Sequence, residues 1–125
     1  TNSKIIAYIR GSIIMINQVS FLEPIEVQEL MNKNLAYVID VREPKEYAQV
    51  HISGVSLMAL SLFNPSDVLP PNNKLLVLHC RSGLRCGLAS EQLITAGYKD
   101  KIYRMAGGLQ AWAAAGLPTE IGTET

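Results

Sequence analysis

From about residue 19 onward, the hydrophobic positions alternate between short continuous runs and one-sided stretches with helical spacing. Four runs, "LAYVID" (35–40), "VSLMAL" (55–60), "KLLVLH" (74–79) and "KIYRM" (101–105), read as strands, the first nearly continuous as in a strand covered on both faces and the third also buried. Between them lie helix signals. Pro24 suits a first helical position, and Val27, Leu30 and Met31 follow the i, i+3, i+4 spacing of a one-sided helix that Asn34 stops. "EPKEYAQ" reads as a short helix with Pro44 in its first turn. A longer helix ends near Ala96, with Gly97 in the place a C-terminal glycine takes, and "GLQAWAAAG" is a last helix ended by Gly116 and Pro118. Residues 61–74, with Pro65, Pro70 and Pro71, form a connection holding at most one short helix. This alternation predicts an α/β domain around a mainly parallel sheet, in which ligands bind beyond the carboxyl ends of the strands.

The segment before this pattern, "KIIAYIRGSIIMI" (4–16), is apolar but interrupted by Arg10. It falls short of the roughly 20 residues of a membrane span. It reads as an N-terminal extension over 1–18, either a packed strand or helix or the end of an upstream region.

Composition narrows the function classes. The chain has 125 residues, nearly half of them apolar, enough for one domain with its own core. A formal net charge of zero gives no electrostatic case for nucleic acid or an anionic membrane surface as partner. Two cysteines without a CxxC pair and two histidines supply neither a disulfide framework nor a zinc ligand set. The expectation is a chain without metal or cofactor, working in a reducing, cytoplasmic setting.

The chemistry concentrates in "LHCRSGLRC" (78–86). The strand ends at His79 and a helix is running by Arg85, so Cys80 begins a sharp turn for which Gly83 supplies the backbone freedom. Successive N–H groups in such a turn, leading into a helix, form a concave site for anions. With Arg81 and Arg85 beside it, the Cys80 thiolate is favoured, and thiol pKa values fall from about 8.5 to ~3.5–7.5 in comparable settings. Cys80 is then a nucleophile near neutral pH without a dedicated base. The plain alternative is a cysteine that merely packs at a strand end.

Three stretches, "IDVREPKEYAQVHISGV" (39–55), "LHCRSGLRC" (78–86) and "MAGGLQAWAAAGLP" (105–118), resemble the signature segments of the rhodanese-like sulfurtransferases, in the family's order and spacing. The resemblance implies a rhodanese-like α/β fold over 19–120, with a central, mainly parallel five-strand sheet, helices on both faces and a short tail at 121–125. It implies a persulfide-forming cysteine at Cys80 and a substrate-binding loop of Arg81, Ser82, Gly83, Leu84 and Arg85. Sulfane sulfur would pass from thiosulfate or a similar small donor, through the Cys80 persulfide, to cyanide or a thiol such as glutathione or thioredoxin. Related phosphatase loops place five residues between cysteine and arginine. Here four intervene before Arg85, and Cys86 stands where a phosphatase needs arginine, so the tighter loop suits sulfur over phosphate.

Other residues carry plainer expectations. Cys86 falls in line with Ala89, Leu93 and Ala96 and reads as packed and inert, the alternative being a resolving thiol. Arg42 and Glu46, four apart, are expected to pair. Asp40 is expected to cap the turn after its strand, His51 to be a hydrogen-bonded turn residue, Gly107 and Gly108 to turn the backbone, and Trp112 to fill the core. Two rival functions stand beside the enzyme: a non-enzymatic rhodanese-fold binding or regulatory module, and a persulfide-carrier domain of a larger protein.

Overall fold

In the computed structural model, the described residues are 5–9, 12–16 and 18–122, the first two stretches as backbone only. Strands β1 (Ile5–Ile9) and β2 (Ser12–Ile16) pair antiparallel, Ile9 opposite Ser12. The single strand or helix expected within 1–18 is therefore a pair of strands. Arg10 and the packing of this segment lie outside the described residues.

The remaining elements are β3 (Val19–Leu22), α1 (Pro24–Asn32), β4 (Ala36–Asp40), α2 (Pro44–Gln49), β5 (Ser56–Leu57), β6 (Leu75–His79), α3 (Leu84–Thr95), β7 (Ile102–Met105) and α4 (Gly108–Ala114). Strands β3 to β7 form one parallel sheet in the order β3-β7-β6-β4-β5, with β6 at its centre.

Alternation along the strands sorts side chains to two layers. Ile39, Leu76, Leu78 and Ile102 face α3, whose Cys86, Ala89 and Leu93 complete that core. Val38, Val77 and Met105 face α1, α2 and α4 and pack with Val27, Tyr47, Leu109 and Trp112. Trp112 is fully buried and its indole N–H donates to Pro118 O at 2.8 Å, as a buried indole requires. It is the core residue expected of it.

Two helices start on the same device. Proline stands in the first turn of both α1 and α2. The carboxylates of Glu26 and Glu46 accept the backbone N–H of Glu23 and Glu43, at 2.9 and 3.0 Å. The residues preceding the prolines stay extended, which ends each incoming loop cleanly.

One further expectation needs correction. "VSLMAL" yields only the two-residue edge strand Ser56–Leu57, because the chain turns into a 3₁₀ turn at Leu60–Leu62. Past that turn, the connection holds one more, Pro65–Asp67, in keeping with the at most one short helix expected over 61–74. The fifth strand is β3, "VSFL", a four-residue edge strand whose Phe21 is exposed, so its apolar pattern carries little signal.

Candidate active site

Cys80 directly follows β6, the central strand, and sits at the floor of the loop that becomes α3. Val41 N–H donates to His79 O, and Leu109 N–H and Gln110 N–H donate to Cys80 O and Arg81 O at 2.8 and 3.0 Å. The start of α4 thus clamps the carbonyl side of the loop and leaves its N–H side turned inward. Gly108, at φ +58°, makes the clamp possible, since a Cβ there would lie 2.6 Å from Arg81 O. The geometric role expected of this glycine is borne out, and it is exerted on the candidate loop itself.

Gly83 takes φ +111° and caps α3. That conformation aims its N–H at Cys80, donating to Sγ at 3.1 Å. The Cys80 thiol is pulled down to about 5, first by a hydrogen bond from the Cys86 thiol and further by the N–H groups of Cys86, Gly83 and Arg85, against the opposing cost of burial. The sulfur is therefore a thiolate at neutral pH while Cys80 is only 1 % exposed. Backbone donors expected across 81–85 come from Gly83 and Arg85, with Cys86 adding one beyond that span.

The two arginines of the loop do different things. Arg85 is held bidentate by Glu46, at 2.7 and 2.8 Å, and this pairing holds the Glu46 carboxyl at about 2. Arg42, expected to pair with Glu46, instead forks onto the buried Asp40, whose carboxylate also accepts the Arg42 backbone N–H at 2.9 Å. A residue two positions away in the same turn outcompetes one on the next helical turn because Asp40 and Arg42 are both buried and Glu46 is within reach of Arg85. The capping role expected of Asp40 is present. Arg81 is exposed and, among the described residues, has no carboxylate partner. It lines an open cleft of about 270 Å³ with Gln49, Leu109, Gln110 and Ala113. Ser82 and Leu84 are also exposed, so their side chains stand at the rim.

His79, fully buried, lies below Cys80 with Nδ1 3.3 Å from Cys80 O and Nε2 3.6 Å from Asp40 Oδ2. Burial lowers its pKa, against the opposing pull of the Asp40 carboxylate. His51 is a packed turn residue as expected: it is buried, stacked on Tyr47 at 3.9 Å, with Nδ1 2.9 Å from Tyr47 O.

Sequence reasoning missed Arg104, on β7. Its Nη2 donates to Gly83 O at 2.6 Å and its Nε to Cys86 Sγ at 3.4 Å. The one available signal was a cation inside "KIYRM", an otherwise apolar strand pattern.

No helix among the described residues is long and apolar enough to cross a membrane. Residues 23–115 match the Rhodanese-like domain family. An uncharacterized protein from Synechocystis is 40% identical over 98 residues, covering 78% of this chain and 54% of its own length, so the chain spans about half of that relative. A sulfurtransferase from Allochromatium vinosum is 32% identical over 91 residues, covering 73% of this chain and 84% of its own. A rhodanese-related protein from Thermoplasma volcanium superimposes with a TM-score of 0.69 at 26% identity, over 84% of this chain and 99% of its own. With the family model matched over most of its length, the chain belongs to the rhodanese-like domain family.

Proposed function

We propose that the domain, taken as residues 19–120, is a sulfurtransferase acting through a Cys80 persulfide. One observation carries the reading: the Cys80 sulfur is stabilised as a thiolate by donors of its own loop, with Gly83 N–H at 3.1 Å. An inert packed cysteine would have no use for them. Sulfurtransferase naming of the Allochromatium vinosum relative, most of whose length is matched, supports the same class.

In the first step the thiolate attacks the outer sulfur of thiosulfate or a similar donor. The S–S bond of the donor breaks, sulfite leaves with the electron pair, and a Cys80 persulfide anion remains. In the second step an acceptor thiolate or cyanide attacks the outer persulfide sulfur and Cys80 leaves as thiolate. The acceptor departs as a persulfide or as thiocyanate. Charge is conserved in both steps, so no proton need be moved by a base. The N–H groups that favour the thiolate also favour the persulfide anion, which presents negative charge in the same cradle.

Arg81 draws the anionic donor to the loop, because its guanidinium is exposed and unspent. Arg85, whose fork is filled by Glu46, shapes the loop and adds positive potential. The acceptor, whether cyanide, glutathione or thioredoxin, approaches over the rim at Ser82 and Leu84. A reducing cytoplasmic setting keeps the nucleophile free.

The test is mass spectrometry after incubation with thiosulfate. The wild-type chain is expected to gain one sulfur atom and Cys80→Ser none. A chain that gains no sulfur from any of several sulfane donors would be a binding module on this fold.

A further inference from the structure

Arg104 belongs to β7, an inner strand of the sheet, and has no carboxylate partner among the described residues. Its charge meets the candidate loop instead: Nη2 donates to Gly83 O at 2.6 Å. The Phe21 ring lies 4.6 Å from the guanidinium carbon on the β3 side. On the α3 side Gly87 makes room, since a Cβ there would come within 2.9 Å of Nη2. The guanidinium is thus held in place at the head of α3.

Gly83 is the loop residue that most needs holding. Glycine populates both hands of the backbone map about equally, so nothing in the residue itself selects φ +111°. Its partners do. At one end its N–H donates to Cys80 Sγ at 3.1 Å. At the other its carbonyl accepts Arg104 at 2.6 Å and the Cys86 thiol at 3.0 Å, two donors for two lone pairs. The bond from Arg104 is charge-assisted and therefore the stronger. It also comes from the sheet, so it fixes the loop against the core and not merely against its own turn.

We propose that Arg104 is a positioning residue: by holding the Gly83 carbonyl it keeps Gly83 in the left-handed conformation that aims its N–H at the Cys80 sulfur. The inference rests on Cys80 being the nucleophile of the reading above. Other charged or titratable groups surround Cys80. Cys86 lies on α3, Arg85 with Glu46 on the α2 side, His79 on β6 with Asp40 and Arg42 behind it, and Arg81 at the rim. None of them differs between the variants compared below.

The experiment follows two signals in the intact chain: the pH midpoint of Cys80 alkylation by iodoacetamide, and hydrogen exchange of the Gly83 amide by NMR. Neither needs sulfur transfer. Arg104→Leu is expected to raise the midpoint by about one unit, a roughly tenfold loss of rate on the acid side, as for an anion that loses one backbone donor. Exchange at Gly83 is expected to quicken roughly tenfold. Gly87→Ala keeps the cation and pushes it aside. It is expected to move both signals the same way by less, with the unfolding temperature unchanged or higher because alanine favours the helix.

Gly83→Ala separates positioning from charge. A Cβ there meets nothing closer than Gly107 N at 3.7 Å, so this variant acts through φ alone. It is expected to raise the midpoint by itself, and Arg104→Leu is expected to add nothing in its background. An Arg104→Leu shift of equal size in both backgrounds would overturn the proposal in favour of direct charge stabilisation. Unchanged Gly83 exchange or an unshifted midpoint in Arg104→Leu would overturn it outright. Should that variant fail to fold, unmoved signals in Gly87→Ala would do the same. The expected shifts in a chain that gains no sulfur from any donor would support the positioning role and remove the sulfurtransferase reading.

Discussion

Glu46 and Arg85 meet in a two-pronged ion pair, 2.7 and 2.8 Å, that ties the first turn of α2 to the first turn of α3. Glu46 Oε1 also accepts the N–H of Glu43, so the carboxylate that caps one helix anchors the candidate loop at the head of another. Glu46→Gln keeps an acceptor for the cap and loses the ion pair. The folded carboxyl sits at about 2 against an ordinary 4.5, so the pair's contribution is full above pH 4.5 and is lost as pH falls through about 2. Thermal unfolding of wild type and Glu46→Gln is expected to differ at neutral pH and to converge towards pH 2.

Cys80 is expected to be the sole site of alkylation in the folded chain, with a midpoint near pH 5. Cys86 is fully buried and its thiol is pushed well up, first by its hydrogen bond to Cys80 and then by burial. Peptide mapping after limited alkylation at pH near neutral checks this, with Cys80→Ser expected to abolish labelling and sulfur loading alike.

Arg81→Ala is expected to raise KM for an anionic donor several-fold, with kcat and the unfolding temperature nearly unchanged. An exposed cation without a partner steers ligands more than it stabilises the fold. The effect is expected to shrink as salt is raised, because exposed charge is screened. Steady-state kinetics at two ionic strengths reads both.

Gly108→Ala places a methyl group against the carbonyls that α4 clamps, at a position already at φ +58°. The strained backbone alone costs about 1–3 kcal/mol. Sulfur loading is expected to fall at least as steeply as stability, because relief of the clash displaces the Cys80–Arg81 backbone. Mass-spectrometric loading rates alongside denaturant unfolding would show it.

Trp112 is the chain's single tryptophan and fully buried, so its fluorescence reports unfolding directly. Replacing it with alanine is expected to cost roughly 3–5 kcal/mol from lost burial and the cavity left behind. Circular dichroism in denaturant measures the loss where the fluorophore is absent.

Much of this architecture is written in local pattern. Buried strands announce themselves by continuous apolar runs, and "LAYVID", "KLLVLH" and "KIYRM" contain β4, β6 and β7. Edge strands do not: β5 keeps two residues of a six-residue run, and β3 exposes Phe21, since an edge strand owes its pairing to neighbours more than to its own hydrophobicity. The loop was legible for the same reason as the inner strands. Cys80, Gly83 and Arg85 are contiguous, and a turn of that length has few ways to arrange its N–H groups.

By itself the sequence determined the alternation of elements, the position of the cysteine at the end of a buried strand, and the spacing that makes the loop short. The partners of its charges were decided by the tertiary structure alone. Arg85 turned to Glu46 and Arg104 to Cys86, pairs separated by 39 and 18 positions, and with Glu46 taken Arg42 kept to the neighbouring Asp40. The physical reason is range. Apolar periodicity and turn chemistry act over a few residues, whereas which cation meets which anion depends on how helices and strands distant in the chain are stacked on one sheet.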